Sequence, residues 1–134
     1  MKTNFITLTF ILFSLVSFAQ NTAKQSSTTQ QKQDSENNTY QLFPTKNYWT
    51  SIKLDTRNGK MWQVHFTVKE DGGQGEIVLN ALSLVSKEKE VNGRFTLYPT
   101  ENIYNFLLLD QIDGNIYQVQ WSMEEKNRGI VPIE

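Results

Sequence analysis

Residues 42–66, LFPTKNYWTSIKLDTRNGKMWQVHF, return without a gap as residues 97–121, LYPTENIYNFLLLDQIDGNIYQVQW. Nine of these twenty-five positions are identical: Leu42/Leu97, Pro44/Pro99, Thr45/Thr100, Asn47/Asn102, Leu54/Leu109, Asp55/Asp110, Gly59/Gly114, Gln63/Gln118 and Val64/Val119. Aromatic residues also replace one another, as Phe43/Tyr98, Trp49/Tyr104, Trp62/Tyr117 and Phe66/Trp121. A weaker echo follows with the offset reduced by one, GEIVLN at 75–80 against GIVPIE at 129–134. Such a chain is built as a tandem duplication, in which each unit is too small to bury its own apolar face and must cover its neighbour.

The period inside each unit is two. In KMWQVHFTV, Trp62, Val64, Phe66 and Val68 alternate with Met61, Gln63, His65 and Thr67; NIYQVQWSM repeats the pattern with Tyr117, Val119, Trp121 and Met123. That alternation predicts strands with one buried face. The shared Asp-x-x-(Asn/Asp)-Gly predicts a hairpin turn, with Gly59 and Gly114 at positive φ and the Asp55 and Asp110 carboxylates accepting backbone N–H groups. A calcium loop is the rival reading, but the spacing lacks its second acidic position and bidentate Glu. Pro44 and Pro99 end strands, because proline withholds a ladder donor. No window carries helical spacing with caps. The expected fold is all-β: a tandem duplication, at offset 55, of a three- to four-stranded meander, forming a pseudo-twofold β-sandwich or small barrel. Trp62, Tyr117, Phe66, Trp121, Val64, Val119, Leu54 and Leu109 are expected inside.

Three segments follow from composition. Residues 1–19 have a basic start, an uncharged run from Phe5 to Phe18, and Ser17 and Ala19 at the −3 and −1 positions of a cleavage site. They read as a secretory signal peptide, since the run is too short and too polar to span about 30 Å of hydrocarbon. Residues 20–39 contain one Ala and no other apolar residue, so they read as a flexible polar linker. Residues 40–134 form the duplicated domain, repeat 1 over about 40–80 and repeat 2 over about 95–134. The chain has no Cys, which closes the lipoprotein route and leaves the domain to hold itself by packing. Export to a bacterial periplasm or to the medium is expected.

Charge and chemistry narrow the function classes. Residues 40–134 hold ten Lys and Arg against twelve Asp and Glu, 10 − 12 = −2, with no basic stretch. Nucleic acid and, once the leader is removed, membrane surfaces are therefore not expected as partners. One His and no Cys exclude a thiolate site or a two-His metal centre, so neither catalysis nor a cofactor is expected. The expected function is a non-catalytic binding module for a protein or glycan. Its candidate ligand face is Trp49, Gln63, His65, Tyr104, Gln118 and Gln120, because rings stack on sugar C–H faces while amides bond hydroxyls. The alternative is a homo-oligomeric assembly component. Copy two places Phe106 and Leu108 where copy one has Ser51 and Lys53, an apolar strip that is either covered or used for association.

Overall fold

The computed structural model describes residues 38–134; the expected signal peptide and residues 20–37 of the expected linker lie outside the described residues. The chain forms eight strands among these residues: β1 (Tyr40–Pro44), β2 (Thr50–Asp55), β3 (Met61–His65), β4 (Gly75–Asn80), β5 (Phe95–Pro99), β6 (Asn105–Asp110), β7 (Ile116–Gln120) and β8 (Gly129–Ile133). They make two four-stranded antiparallel sheets, ordered β1-β2-β3-β4 and β5-β6-β7-β8. The fold is thus two stacked meanders and not a closed barrel.

The duplication is visible bond by bond. Asp55 N–H donates to the Lys60 carbonyl and Asp110 N–H to that of Asn115; Gly59 and Gly114 N–H return to the carbonyls of Asp55 and Asp110. Register is repeated as well, with Gln63 opposite Ile77 and Gln118 opposite Val131, which reproduces the one-residue drop in offset. That drop is made in the connection, where residues 66–74 of repeat 1 are answered by the one-residue-shorter 121–128; sheet one alone also has an irregularity between Met61 and Trp62.

The turns behave as their sequence requires. Gly59 and Gly114 sit at φ 78° and 76°, and the carboxylates of Asp55 and Asp110 accept the N–H of Arg57 and Ile112, both at 3.0 Å. The two glycines differ in surroundings. A Cβ on Gly59 would lie 2.6 Å from Leu84 Cδ1, whereas one on Gly114 would meet nothing within 4 Å. Gly114→Ala should therefore cost only the left-handed backbone, about 1–2 kcal/mol. Gly59→Ala adds displacement of Leu84 and should cost measurably more by urea denaturation; equal costs would contradict this packing.

The faces require a correction. A twofold sandwich would bury the same register positions in both sheets. Sheet one instead buries Ile52, Leu54, Met61 and Gln63, whereas sheet two buries Phe106, Leu108, Val119 and Trp121, the opposite set under the 55-residue offset. The reason is β2. Lys53 cannot be buried unpaired, so Ser51 and Lys53 turn outward and Ile52 and Leu54 inward. The ladder then decides β3: Ile52 lies opposite Gln63 and Leu54 opposite Met61, while Lys53 lies opposite Trp62. Trp62 and Val64 are consequently half-buried on the outer face, with Lys53 Nζ 4.7 Å above the Trp62 ring centroid. Phe66 is 43 % exposed and Leu109 half-buried on the outer face; Leu54, Val119 and Trp121 are in the core as expected, with Tyr117 packed against it. The two units are stacked front to back.

Phe106 and Leu108 are core residues, 3 % and 0 % exposed. They are covered by sheet one and form no exposed strip. They lie on the inner face of β6, opposite Val119 and Tyr117, so of the two expectations for this strip it is the covered one that holds, and these two residues are not available for association.

Candidate functional site

In an up-and-down meander the first and third connections share one end. Here that end carries the β1–β2 and β5–β6 loops, which touch through Lys46 Nζ and Glu101, 3.5 Å apart. It also carries the connections that follow β3 and β7. Each short loop is built by the same residues. Thr45 Oγ1 donates to the carbonyls of Asn47 and Thr50 at 3.1 and 2.8 Å, and Thr100 Oγ1 to those of Asn102 and Asn105 at 3.1 Å each. The Asn47 and Asn102 side chains accept the N–H of Trp49 and Tyr104 at 2.9 and 3.0 Å. These Asx turns present Trp49 and Tyr104 at the rim. Both rings meet the aromatic residue that follows the neighbouring strand: Trp49 and Phe66 edge to face at 6.0 Å, Tyr104 and Trp121 tilted at 5.2 Å.

Two depressions result, one per repeat. The larger, about 640 Å³, is walled by Trp49, His65, Phe66, Val68 and Met123 and closed by the glycine-rich segment 72–75. Its counterpart, about 400 Å³, is walled by Tyr104, Gln120, Trp121, Met123 and the polar side chains of Asn47 and Glu124. Met123 borders both. The first is the apolar one, because its walls carry Phe66 and Val68 past the last ladder pair of β3.

His65 forms the floor. Its ring nitrogens lie 3.1 Å from Thr50 Oγ1 and 3.1 Å from Gln63 Nε2. An amide nitrogen can only donate, so His65 Nε2 accepts and Nδ1 carries the proton toward Thr50. Burial, and secondarily the nearby Arg128 charge, hold the imidazole below its ordinary range and therefore neutral. Gln63 Nε2 also donates to the Ser122 carbonyl at 3.0 Å while its Oε1 accepts Ser122 N–H at 3.2 Å. The buried Gln63 amide thus bolts sheet one to repeat 2 directly beneath the cavity.

Of the six residues expected on a ligand face, Trp49, His65, Tyr104 and Gln120 come to this end. Gln63 is fully buried behind it, and Gln118 is exposed on the outer face of sheet two. Gln120 is bound to the Asn127 carbonyl at 2.9 Å. The amide-and-ring constellation suited to a sugar is therefore not assembled. Phe66, Val68 and Met123 were absent from the expected face, because their alternation reads as a continuation of the core; the strand ends at His65, and only the paired aromatics 49/66 and 104/121 hint at a shared end. Among the described residues no three His, Cys, Asp or Glu side chains gather as a metal set. No family model, curated protein or solved structure matches this chain.

Proposed function

We propose that this is an exported, non-catalytic recognition module that holds an aromatic or aliphatic side chain of a partner protein in the Trp49 cavity. The observation that carries this reading is the concave apolar wall of Trp49, Phe66, Val68 and Met123 at an end of the sandwich. A half-exposed Trp beside a preformed slot is the anchor arrangement of protein interfaces. Both nitrogens of His65 are engaged by Thr50 and Gln63, which favours a supporting role for the imidazole over acid–base work. The dispersal of Gln63 and Gln118 favours a protein ligand over a glycan.

The test is to pan a random-peptide display library against the chain, with a glycan array run in parallel. Peptides sharing an aromatic or aliphatic anchor are expected. Trp49→Ala should weaken them about 10–30-fold while lowering stability only by the lost ring contact with Phe66, about 0.5–1.5 kcal/mol. Retained binding in Trp49→Ala, or capture by glycans alone, would sink the reading.

A further inference from the structure

Each sheet has one covered face, and the faces left outside are apolar as well. Sheet one exposes Tyr40, Leu42 (65 %) and Val78 around the Lys53–Glu76 pair; sheet two exposes Tyr98, Leu107, Ile116, Val131 (58 %) and Ile133. Residues 20–37, with Ala23 their sole apolar residue, offer nothing to cover them.

The duplication identifies what fits. Because the two units stack front to back, the outer face of sheet two is the repeat-equivalent of the inner face of sheet one: Leu107, Leu109, Ile116 and Gln118 correspond to Ile52, Leu54, Met61 and Gln63. Likewise the outer face of sheet one corresponds to the inner face of sheet two, with Tyr40, Leu42, Trp62 and Val64 standing for Phe95, Leu97, Tyr117 and Val119. The packing already made inside the molecule can therefore be made again between molecules. We propose that the outer face of sheet two receives the outer face of sheet one of a second copy, in a head-to-tail assembly that repeats the internal interface.

Three details follow the same register. Gln63 bridges to both backbone groups of Ser122; its twin Gln118, exposed and without a partner among the described residues, would bridge in the same way to Thr67 of the second copy. Glu101, which meets Lys46 within the chain, would meet Lys46 of the next copy, so the charges alternate favourably. Leu108 lies over Gly59, its Cδ2 3.6 Å from where a Cβ on that residue would stand. Its counterpart Lys53 would lie over Gly114, where nothing stands within 4 Å, beside the half-exposed Asp113 carboxylate. Such a heterologous contact closes into a ring if the rotation between copies permits, as in stacked four-stranded propeller blades, and otherwise grows as a filament.

The test uses the chain produced with its leader, so that the host processes it, and reads mass by sedimentation across a wide range of concentration. Species larger than a dimer, a fixed ring or a growing series, are expected. Leu107→Lys blocks one face and Leu42→Lys the other; each variant alone should sediment as a monomer, with association weakened at least tenfold. Mixed together they should give one-to-one dimers and nothing larger, because each keeps the face the other lacks. Both positions are exposed, so far-UV circular dichroism and the urea midpoint should match the parent and exclude misfolding. A parent that stays monomeric overturns the proposal. So does a dimer that persists in either variant alone, which would signify a self-complementary contact instead.

Discussion

Trp121→Ala should lower the unfolding free energy by about 3–5 kcal/mol, the cost of emptying a large aromatic site in a core. Trp62→Ala, at the repeat counterpart of Tyr117, should cost only about 1–2 kcal/mol, the sum of a ring contact and a cation–π contact. The indole of Trp121 is 3 % exposed, donates from Nε1 to the Ile103 carbonyl at 3.0 Å, and packs on Tyr104. Its loss removes burial, a buried hydrogen bond and a ring contact together. Trp62 stands half-buried on an outer face, held by Tyr40 edge to face at 6.5 Å and by the Lys53 ammonium above it. At such a site a cation–π contact contributes roughly 0.5–1 kcal/mol. Urea titration of both variants with unchanged slope would check the contrast. Comparable losses at low protein concentration would mean that the faces of sheet one are reversed. Total stability for a domain of this size is about 5–15 kcal/mol, so the Trp121 variant should be close to the edge of folding at 37 °C.

That contrast marks where the sequence stops being legible. The repeat, its offset, the turn glycines and the strand-ending prolines could all be read directly, because each rests on local backbone chemistry. Which face of sheet one is buried could not be read from β3 alone. Trp62, Val64 and Phe66 are its larger apolar members, and alternation by itself assigns them inward. The decisive information sat in β2 and in the turn. Once Asp55 to Gly59 closes the hairpin, Leu54 must lie opposite Met61, so Leu54 and Trp62 cannot share a face. Burying Leu54 already exposes Trp62, and Lys53 argues for the same choice. In β6 both faces are apolar, so no such conflict arises and Tyr117, Val119 and Trp121 go inward.

The candidate site was legible to the same degree. Trp49 and Tyr104 could be assigned to a ligand face; that they stand at a rim follows from the Asn47 and Asn102 turns that precede them in the fold. The glutamines could not. Gln63 and Gln118 are identical in the repeat yet meet opposite fates, one bolted to Ser122 and the other in solvent, because front-to-back stacking gives equivalent positions unequal surroundings. A glutamine read as a ligand group from one strand is thus a structural bridge in the assembled fold.

The most deeply buried ion pair among the described residues should show itself through pH. Arg94 and Asp110 are both nearly inaccessible, 3 % and 1 % exposed, and meet at 2.7 Å between Nη2 and Oδ2. The same guanidinium reaches Asp113 and donates to the Lys89 carbonyl at 3.1 Å. This cluster ties the segment between the repeats to the β6–β7 turn. Burial alone would push the Asp110 carboxyl up. The Arg94 hydrogen bond and the N–H groups of Asp113 and Ile112 outweigh it, so the carboxyl titrates below its ordinary value of 3.8. A carboxyl depressed in the folded state contributes stability above its unfolded pKa and loses it as pH falls through the folded one. The parent should therefore hold its stability down to about pH 4 and lose it below. In Arg94→Ala the carboxylate is left buried and unpaired, which should cost about 3–5 kcal/mol at pH 7. Its pKa is then raised, and the sign reverses: acidification protonates Asp110 and removes the penalty. The difference between parent and variant should shrink steadily as pH falls toward 4. Adding Asp110→Asn to Arg94→Ala should recover part of the loss at pH 7, since no buried charge then remains at that pair. A difference that stayed constant from pH 7 to pH 4 would show that Arg94 acts through packing, and that the buried charge pair is not what holds the segment between the repeats to the β6–β7 turn.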